Sequence, residues 1–328
     1  MIPNNQHIQG AFFKAVANLD VSKKTMVSVS GGSDSDVVID FINQCGAGDK
    51  VSYVFFDTGL EYQATKDHLD YLQKRYSIKI ERLRAYRSIP YCCKNYGQPF
   101  INKFVSEQIE RLQKHGFKFE DKPIEELIKE YPGCLSSLKW WTNTHKKPQW
   151  NIKQRKYLKE FLTAYPPDFN ISAKCCEYAK KRTAKEYYKK ENIELVITGL
   201  RKSEGGIRST IYKSCYDTGN PSNYRPIWWL SDEDKREYNE FYNIKNSRAY
   251  TQYGFKRTGC ACCPFSLGLF DELEKTAKYE PKLYKAVKAT FGRSYEYTQA
   301  YLKFKRVKEQ ELNRLSMKTK PLEFYEVA

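Results

Sequence analysis

Residues 25–57 read TMVSVSGGSDSDVVIDFINQCGAGDKVSYVFFD, and this stretch decides the fold. Thr25 to Ser30 is a short apolar run with β-branched residues, which predicts a buried strand. Gly31 and Gly32 follow, and then Asp36 to Gln44 carries apolar residues at helical spacing. Ser and Asp at its start suit a helix N-terminus. Val51 to Phe56 predicts a second strand that enters Asp57-Thr58-Gly59. Working outward, Glu61 to Tyr76 predicts a helix and Ile78 to Leu83 a third strand. The alternation implies an α/β fold, a doubly wound parallel sheet with right-handed crossovers. Ligands in such sheets bind beyond the carboxyl ends of the strands, where the loops after Ser30 and Phe56 both lie.

Downstream, the alternation pauses. Residues 86–173 predict a helical insert, with helices at Pro99–His115, Pro123–Tyr131 and near Gln154–Ala164. It resumes with a helix over Cys175–Lys190 and a strand at Glu194–Thr198 entering Gly199-Leu200-Arg201. Pro226–Leu230 predicts a short final strand. Beyond it the pattern is mainly helical, broken by a loop at Gly254–Leu267. The expected organisation is a 1–230 α/β domain containing the insert and a 231–328 helical C-terminal region.

The chain has 328 residues and a net charge of +17, with 41% hydrophobic residues and ten cysteines. That apolar content supports a substantial core and excludes a disordered chain. No apolar run approaches a membrane span. The N-terminal stretch lacks a secretory pattern, so the expectation is a cytoplasmic protein whose cysteines are not a disulfide framework. Residues 139–190 hold fourteen basic and four acidic residues, interleaved with Trp140, Trp141, Trp150, Tyr157 and Tyr165. Basic residues track phosphates and exposed rings stack on bases, so a nucleic acid is a candidate partner. A solvated lysine-rich face over core aromatics is the alternative.

The loop after the first strand is suited to an anion. Glycines let its backbone amides approach a phosphate, and the next helix aims its N-terminus at the same point. It is neither a Walker A loop nor a GxGxxG fingerprint. Among the cysteines, Cys175-Cys176 are adjacent and Cys260 and Cys263 form a C-x-x-C with Cys262 between them. C-x-x-C alone is open between zinc, redox and iron–sulfur roles.

These motifs carry a resemblance. Ser30-Gly31-Gly32-Ser33-Asp34-Ser35 resembles the SGGxDS loop of the PP-loop ATP pyrophosphatases. Within them the chain resembles the phosphoadenosine phosphosulfate (PAPS) reductase family, in its iron–sulfur branch. Asp57-Thr58-Gly59 with Glu61 and Thr65, Lys174-Cys175-Cys176, Gly199-Leu200-Arg201 with Glu204 and Arg208, and Arg225-Pro226-Ile227 with Trp229 and Asp232 follow in family order. The resemblance implies an adenine nucleotide α-hydrolase-like fold and a site for ATP or another adenine nucleotide. Ser30, Gly31, Gly32, Ser33, Asp34, Ser35, Asp57, Thr58, Gly59, Gly199, Arg201 and Arg208 would line it. Ser35, Asp57, Arg201 and Arg208 would be the catalytic set, with Asp57 near Mg²⁺ when Mg-ATP is bound. The two arginines offer planar forks for phosphate or sulfate oxygens, with a surface ion pair to Glu204 as the alternative.

Cys175, Cys176, Cys260 and Cys263 resemble the ligand set of the adenosine phosphosulfate (APS) reductases, which hold a [4Fe–4S] cluster. Zinc is the rival, although adjacent ligands are unusual for it, and Cys262 competes with its neighbours as a ligand. Cys92-Cys93 reads as structural. The reductases also carry a nucleophilic Cys in a C-terminal motif, and no Cys follows Cys263 here. The expectation is therefore ATP cleavage between the α- and β-phosphates with adenylation of an acceptor, for example in nucleic-acid sulfur modification. A sulfur-donor or thiol partner protein would serve it. APS or PAPS reduction with an external thiol, and a non-catalytic binding module, remain as alternatives.

Overall fold

A computed structural model describes residues 1–20, 23–205 and 211–318, with side chains through 314. It contains the predicted parallel sheet. β1 (Thr25–Val29) lies between β2 (Ser52–Asp57) and β4 (Leu195–Thr198), parallel to both. β3 (Ile80–Arg84) extends the sheet beyond β2, and β6 (Ser222–Tyr224) beyond β4. Among the described residues only the edge strand β5 (Tyr216–Asp217) is antiparallel, giving the order β3-β2-β1-β4-β6-β5. Chain progression reverses between β1 and β4, so the binding crevice of such a sheet falls there.

The period-two alternation of strand side chains separates two apolar faces. Val27, Val29, Phe55 and Ile197 pack with α1 (Gln6–Asn18), α2 (Ser33–Gln44) and α3 (Gln63–Tyr76). Met26, Val54 and Val196 point the other way, toward Tyr187 and Ile193. α2 is buried from Ser35 to Ile42, and this includes two carboxylates. Asp36 lies 2.8 Å from His68 Nε2, and Asp40 accepts from Tyr76 at 3.1 Å and Tyr238 at 2.9 Å. Burial pushes both carboxyls up, and these partners oppose it.

One expectation needs correction. Pro226–Leu230 is not a strand. Its residues turn, with Ile227, Trp228 and Leu230 buried, and the sheet ends instead in β5 and β6. The chain forms two compact units, each drawn from separate stretches of sequence. The first unit comprises Met1–Cys92, Cys175–Cys263 and Gly268–Val287; the second comprises Cys93–Lys174, Pro264–Leu267 and Lys288–Ala328. Each unit has its own core. Tyr238 joins the core of the first unit with Phe41. In the second, Phe100, Leu112, Trp141 and Phe161 form a core with Tyr301, against which Tyr297 and Phe304 pack.

Candidate nucleotide and thiol sites

The loop after β1 has the expected form. Gly31 adopts φ +65°, a conformation that favours glycine, and a Cβ there would lie 2.7 Å from Thr65 Cγ2. At Gly32 a Cβ would come within 3.1 Å of both Tyr250 Oη and Thr258 Oγ1. Those hydroxyls are 3.0 Å apart, and Ser33 N donates to Tyr250 at 3.3 Å. The loop is braced from inside: Ser30 N donates to Ser35 Oγ at 3.1 Å and Gly32 N to Ser30 Oγ at 3.3 Å. Ser35 is buried, so its hydroxyl shapes the loop. β4 closes on the first turn of α2 at Gly199, where a Cβ would meet Asp34 O at 2.8 Å.

Charge converges on Asp34. Its Oδ1 accepts from Arg201 Nε at 2.9 Å and from Lys235 Nζ at 2.8 Å. Lys235 also donates to Ser33 Oγ at 2.9 Å. Arg201, only 5% exposed, reaches Asp232 at 2.8 Å and holds that carboxyl below the usual range. In place of an open fork or a surface pair with Glu204, Arg201 is a buried bridge between two carboxylates. Glu204 instead accepts from the Arg201 backbone N–H at 3.3 Å. Arg208 lies outside the described residues. Lys235, Tyr250 and Thr258 were not foreseen. The one sequence signal was the family-like segment ending at Asp232, one turn before Lys235.

The loop after β2 supports the cysteines. Asp57 Oδ1 accepts from Gly59 N at 2.9 Å, with Gly59 at φ +87°. Thr58 is buried, donates to Glu61 at 2.6 Å and lies 3.8 Å from Cys260 Sγ. The C-x-x-C loop hangs on this segment: Ala261 N donates to Leu60 O at 2.9 Å and Cys262 N to Tyr62 Oη at 3.0 Å. Burial raises the Glu61 carboxyl, and Lys180 and Thr58 oppose it.

Thiols of both motifs meet around Lys180. Cys260 accepts a hydrogen bond from it and, with Cys176, favours its charged form. Cys176 is also within electrostatic range of Cys260 and Cys92. Cys262 has further contacts. Its Sγ lies 3.2 Å from Thr276 Oγ1 and 3.8 Å from Tyr62 Oη, and burial pushes its thiol up to about 11. No disulfide forms among the described residues. Soft thiol donors from both segments suit an iron–sulfur cluster or zinc. However, no three His, Cys, Asp or Glu side chains among the described residues converge on a metal-sized point. The helix after Cys176 contains a π-helical segment, Glu177–Arg182, a device common at functional sites.

In the basic segment, Trp140 and Trp141 are buried core residues and offer no face for stacking. Trp150 is 43% exposed with Lys147 Nζ 4.8 Å from its ring centre, and Tyr165 is also exposed. Among the described residues no helix is long and apolar enough to cross a membrane.

Over 146 residues, 44% of the chain, it is 29% identical to the uncharacterised protein MJ0066 of Methanocaldococcus jannaschii, spanning 29% of that protein's length. Among solved structures it resembles the PAPS reductase of Candida auris, at 14% identity and TM-score 0.39, covering 79% of this chain and 97% of that one. It also resembles the U34-tRNA thiolase NcsA of Methanococcus maripaludis with its [4Fe-4S] cluster, at 11% identity and TM-score 0.38, covering 90% and 79% respectively. Both likenesses are too distant to bear on the reaction. The phosphoadenosine phosphosulfate reductase domain matches residues 24–116 and 113–266, from the strand before the glycine loop through the C-x-x-C, and the chain belongs to that family of PP-loop nucleotide-binding proteins.

Proposed function

We propose that the chain binds Mg-ATP at the loop after β1 and cleaves it between the α- and β-phosphates. An acceptor nucleophile would attack the α-phosphorus, forming a bond to AMP as pyrophosphate leaves and the acceptor's proton passes to solvent. One observation carries this reading: Gly31, Gly32, the N-terminus of α2, Lys235 and the Tyr250–Thr258 hydroxyl pair surround one point at the switch of the sheet. Backbone amides and a helix N-terminus favour a polyphosphate there. Lys235, now held by Asp34 and Ser33, supplies a mobile cation for charge that develops on the leaving group. Arg201 is a positioning residue that keeps Asp34 and Asp232 in place. Asp57 is a candidate for the metal side of the site, although it now caps its own loop.

Cys175, Cys176, Cys260 and Cys263 would hold a [4Fe–4S] cluster, which when bound supplies a redox or sulfur-handling centre beside the nucleotide. Thr58, Glu61 and Lys180 would orient its Cys260 side. Family membership favours a second reading, reduction of APS or PAPS with an external thiol. Anaerobic incubation with Mg-ATP and candidate acceptors, followed by pyrophosphate assay, tests the first. Pyrophosphate release supports it. Release of sulfite from APS or PAPS with added thiol, without pyrophosphate from ATP, replaces it with the second.

A further inference from the structure

A cluster of rings and guanidinium groups on the α/β unit has no part in the nucleotide site. Arg182, at the end of the π-helical segment, lies 3.7 Å over the ring of Tyr86. Arg87 lies 5.4 Å from Tyr86, 5.4 Å from Tyr91 and 5.3 Å from Tyr178. The Tyr86 and Tyr178 ring centres are 6.2 Å apart. The Tyr86 backbone N–H donates to Thr183 Oγ1 at 2.9 Å, tying this loop to the helix that carries Tyr178 and Arg182. Despite these contacts Tyr86 stays 41% and Tyr91 46% exposed.

We propose that Tyr86, Tyr91 and Tyr178, with Arg87 and Arg182, form a platform on which unpaired bases of a single-stranded nucleic acid stack. Three features point to this ligand. Aromatic rings and planar guanidinium groups are the two side-chain surfaces that stack on a base regardless of its identity. Here they are already held against one another, so little side-chain freedom is lost on binding. Exposed cations flank them in sequence within the same unit: Arg84, Lys181 and Lys185 can follow a phosphate backbone. Glu177 and Glu186 lie on the same helix, where Glu186 is occupied by Arg182 at 2.7 Å, and Asp57 lies on the strand paired with Arg84. Duplex bases hide their faces in the stack, which restricts the ligand to unpaired strands.

The π-helical segment joins the platform to the thiols, since it also carries Lys180 to Cys260. The platform thus supplies the class of acceptor left open above, and in that respect rests on the ATP reading. The stacking surface stands on its own geometry.

Fluorescence anisotropy of the full chain with short labelled DNA and RNA oligonucleotides tests the platform, with duplex and heparin as competitors. Tyr86→Ala and Tyr91→Ala should each weaken binding of at least one single strand by about tenfold or more, without changing its dependence on salt. Tyr86→Phe keeps the ring and should bind close to wild type, which separates a lost stacking face from a misfolded variant. Arg182→Gln should weaken binding and reduce the salt slope by about one. Absence of single-strand binding overturns the proposal. So does duplex or heparin binding that matches it, or a Tyr86→Ala protein that binds like wild type. The ATP-induced thermal shift of the wild-type protein is read separately. Oligonucleotide binding without an ATP shift removes the ATP reading and leaves the platform; the reverse result removes the platform alone.

Discussion

The glycine loop and the cysteine site share one α/β unit and are built in opposite ways. The loop uses six consecutive residues, and its amides already find acceptors on Ser30, Ser35 and Tyr250. The cysteine site draws on two segments far apart in sequence, and its thiols are positioned by Thr58, Tyr62 and Lys180. The loop is therefore formed before any ligand arrives, whereas the thiols share a neighbourhood without converging on a metal. A phosphate cradle is a property of local backbone. A thiolate site is completed by what it binds, because the metal supplies the attraction that holds its ligands together.

The largest effect expected from this contrast is on metal content. Cys260→Ser should abolish iron and acid-labile sulfide in anaerobically purified protein, and Cys262→Ser should retain both. The opposite pattern would show that the core thiol is the ligand. Colourless protein with one bound zinc would remove the cluster altogether.

The loop should break through sterics instead. Gly199→Ala places a Cβ against Asp34 O and should cost about 1–3 kcal/mol in urea unfolding. Gly259→Ala, beside the C-x-x-C with nothing within 4 Å, should stay within about 0.5 kcal/mol of wild type. Equal effects at the two sites would erase the distinction between a closed loop and an open one.

Lys235→Ala should weaken ATP binding about tenfold, the loss typical of one charge-assisted hydrogen bond. Unchanged affinity in titration calorimetry would show that Lys235 serves only Asp34. The smallest effect concerns pH. Burial raises the Asp40 carboxyl above its ordinary value, so between the two the folded protein holds a proton that the unfolded chain releases. Its contribution to stability is present below the ordinary value of about 4 and declines as pH rises toward the raised one. Asp40→Asn should flatten that slope in unfolding titrations, and an unaltered slope would refute the assignment.

What the sequence disclosed follows the same division. The β-branched runs at 25–30 and 51–56 and the Gly31-Gly32 pair have purely local causes, so strand, loop and helix were all legible. Lys235, Tyr250 and Thr258 reach the loop only through tertiary packing, and apart from the family-like segment that ends one turn before Lys235 no local pattern marks them. Arg201, Asp34 and Asp232 were each singled out, but their pairing was not, because Glu204 read as the partner. Pro226–Leu230 misled because buried Ile and Trp read as strand, although Pro226 and the turn beside Arg225 break the ladder. Trp140 and Trp141 looked available for stacking because charge surrounds them in sequence. In space they fill a core, and the exposed rings beside arginines lie at Tyr86 and Tyr91 instead.

The central claim is that the loop after β1 is a nucleotide cradle, and a thermal-shift titration with Mg-ATP, APS and PAPS tests it most directly. Stabilisation should grow with ligand as RT ln(1 + [L]/Kd), about 2.7 kcal/mol at a hundredfold excess over Kd. Gly32→Val, whose side chain would crowd the Tyr250 and Thr258 hydroxyls, should abolish that response. No shift with any of the three nucleotides, or an equal shift in Gly32→Val, would contradict the account.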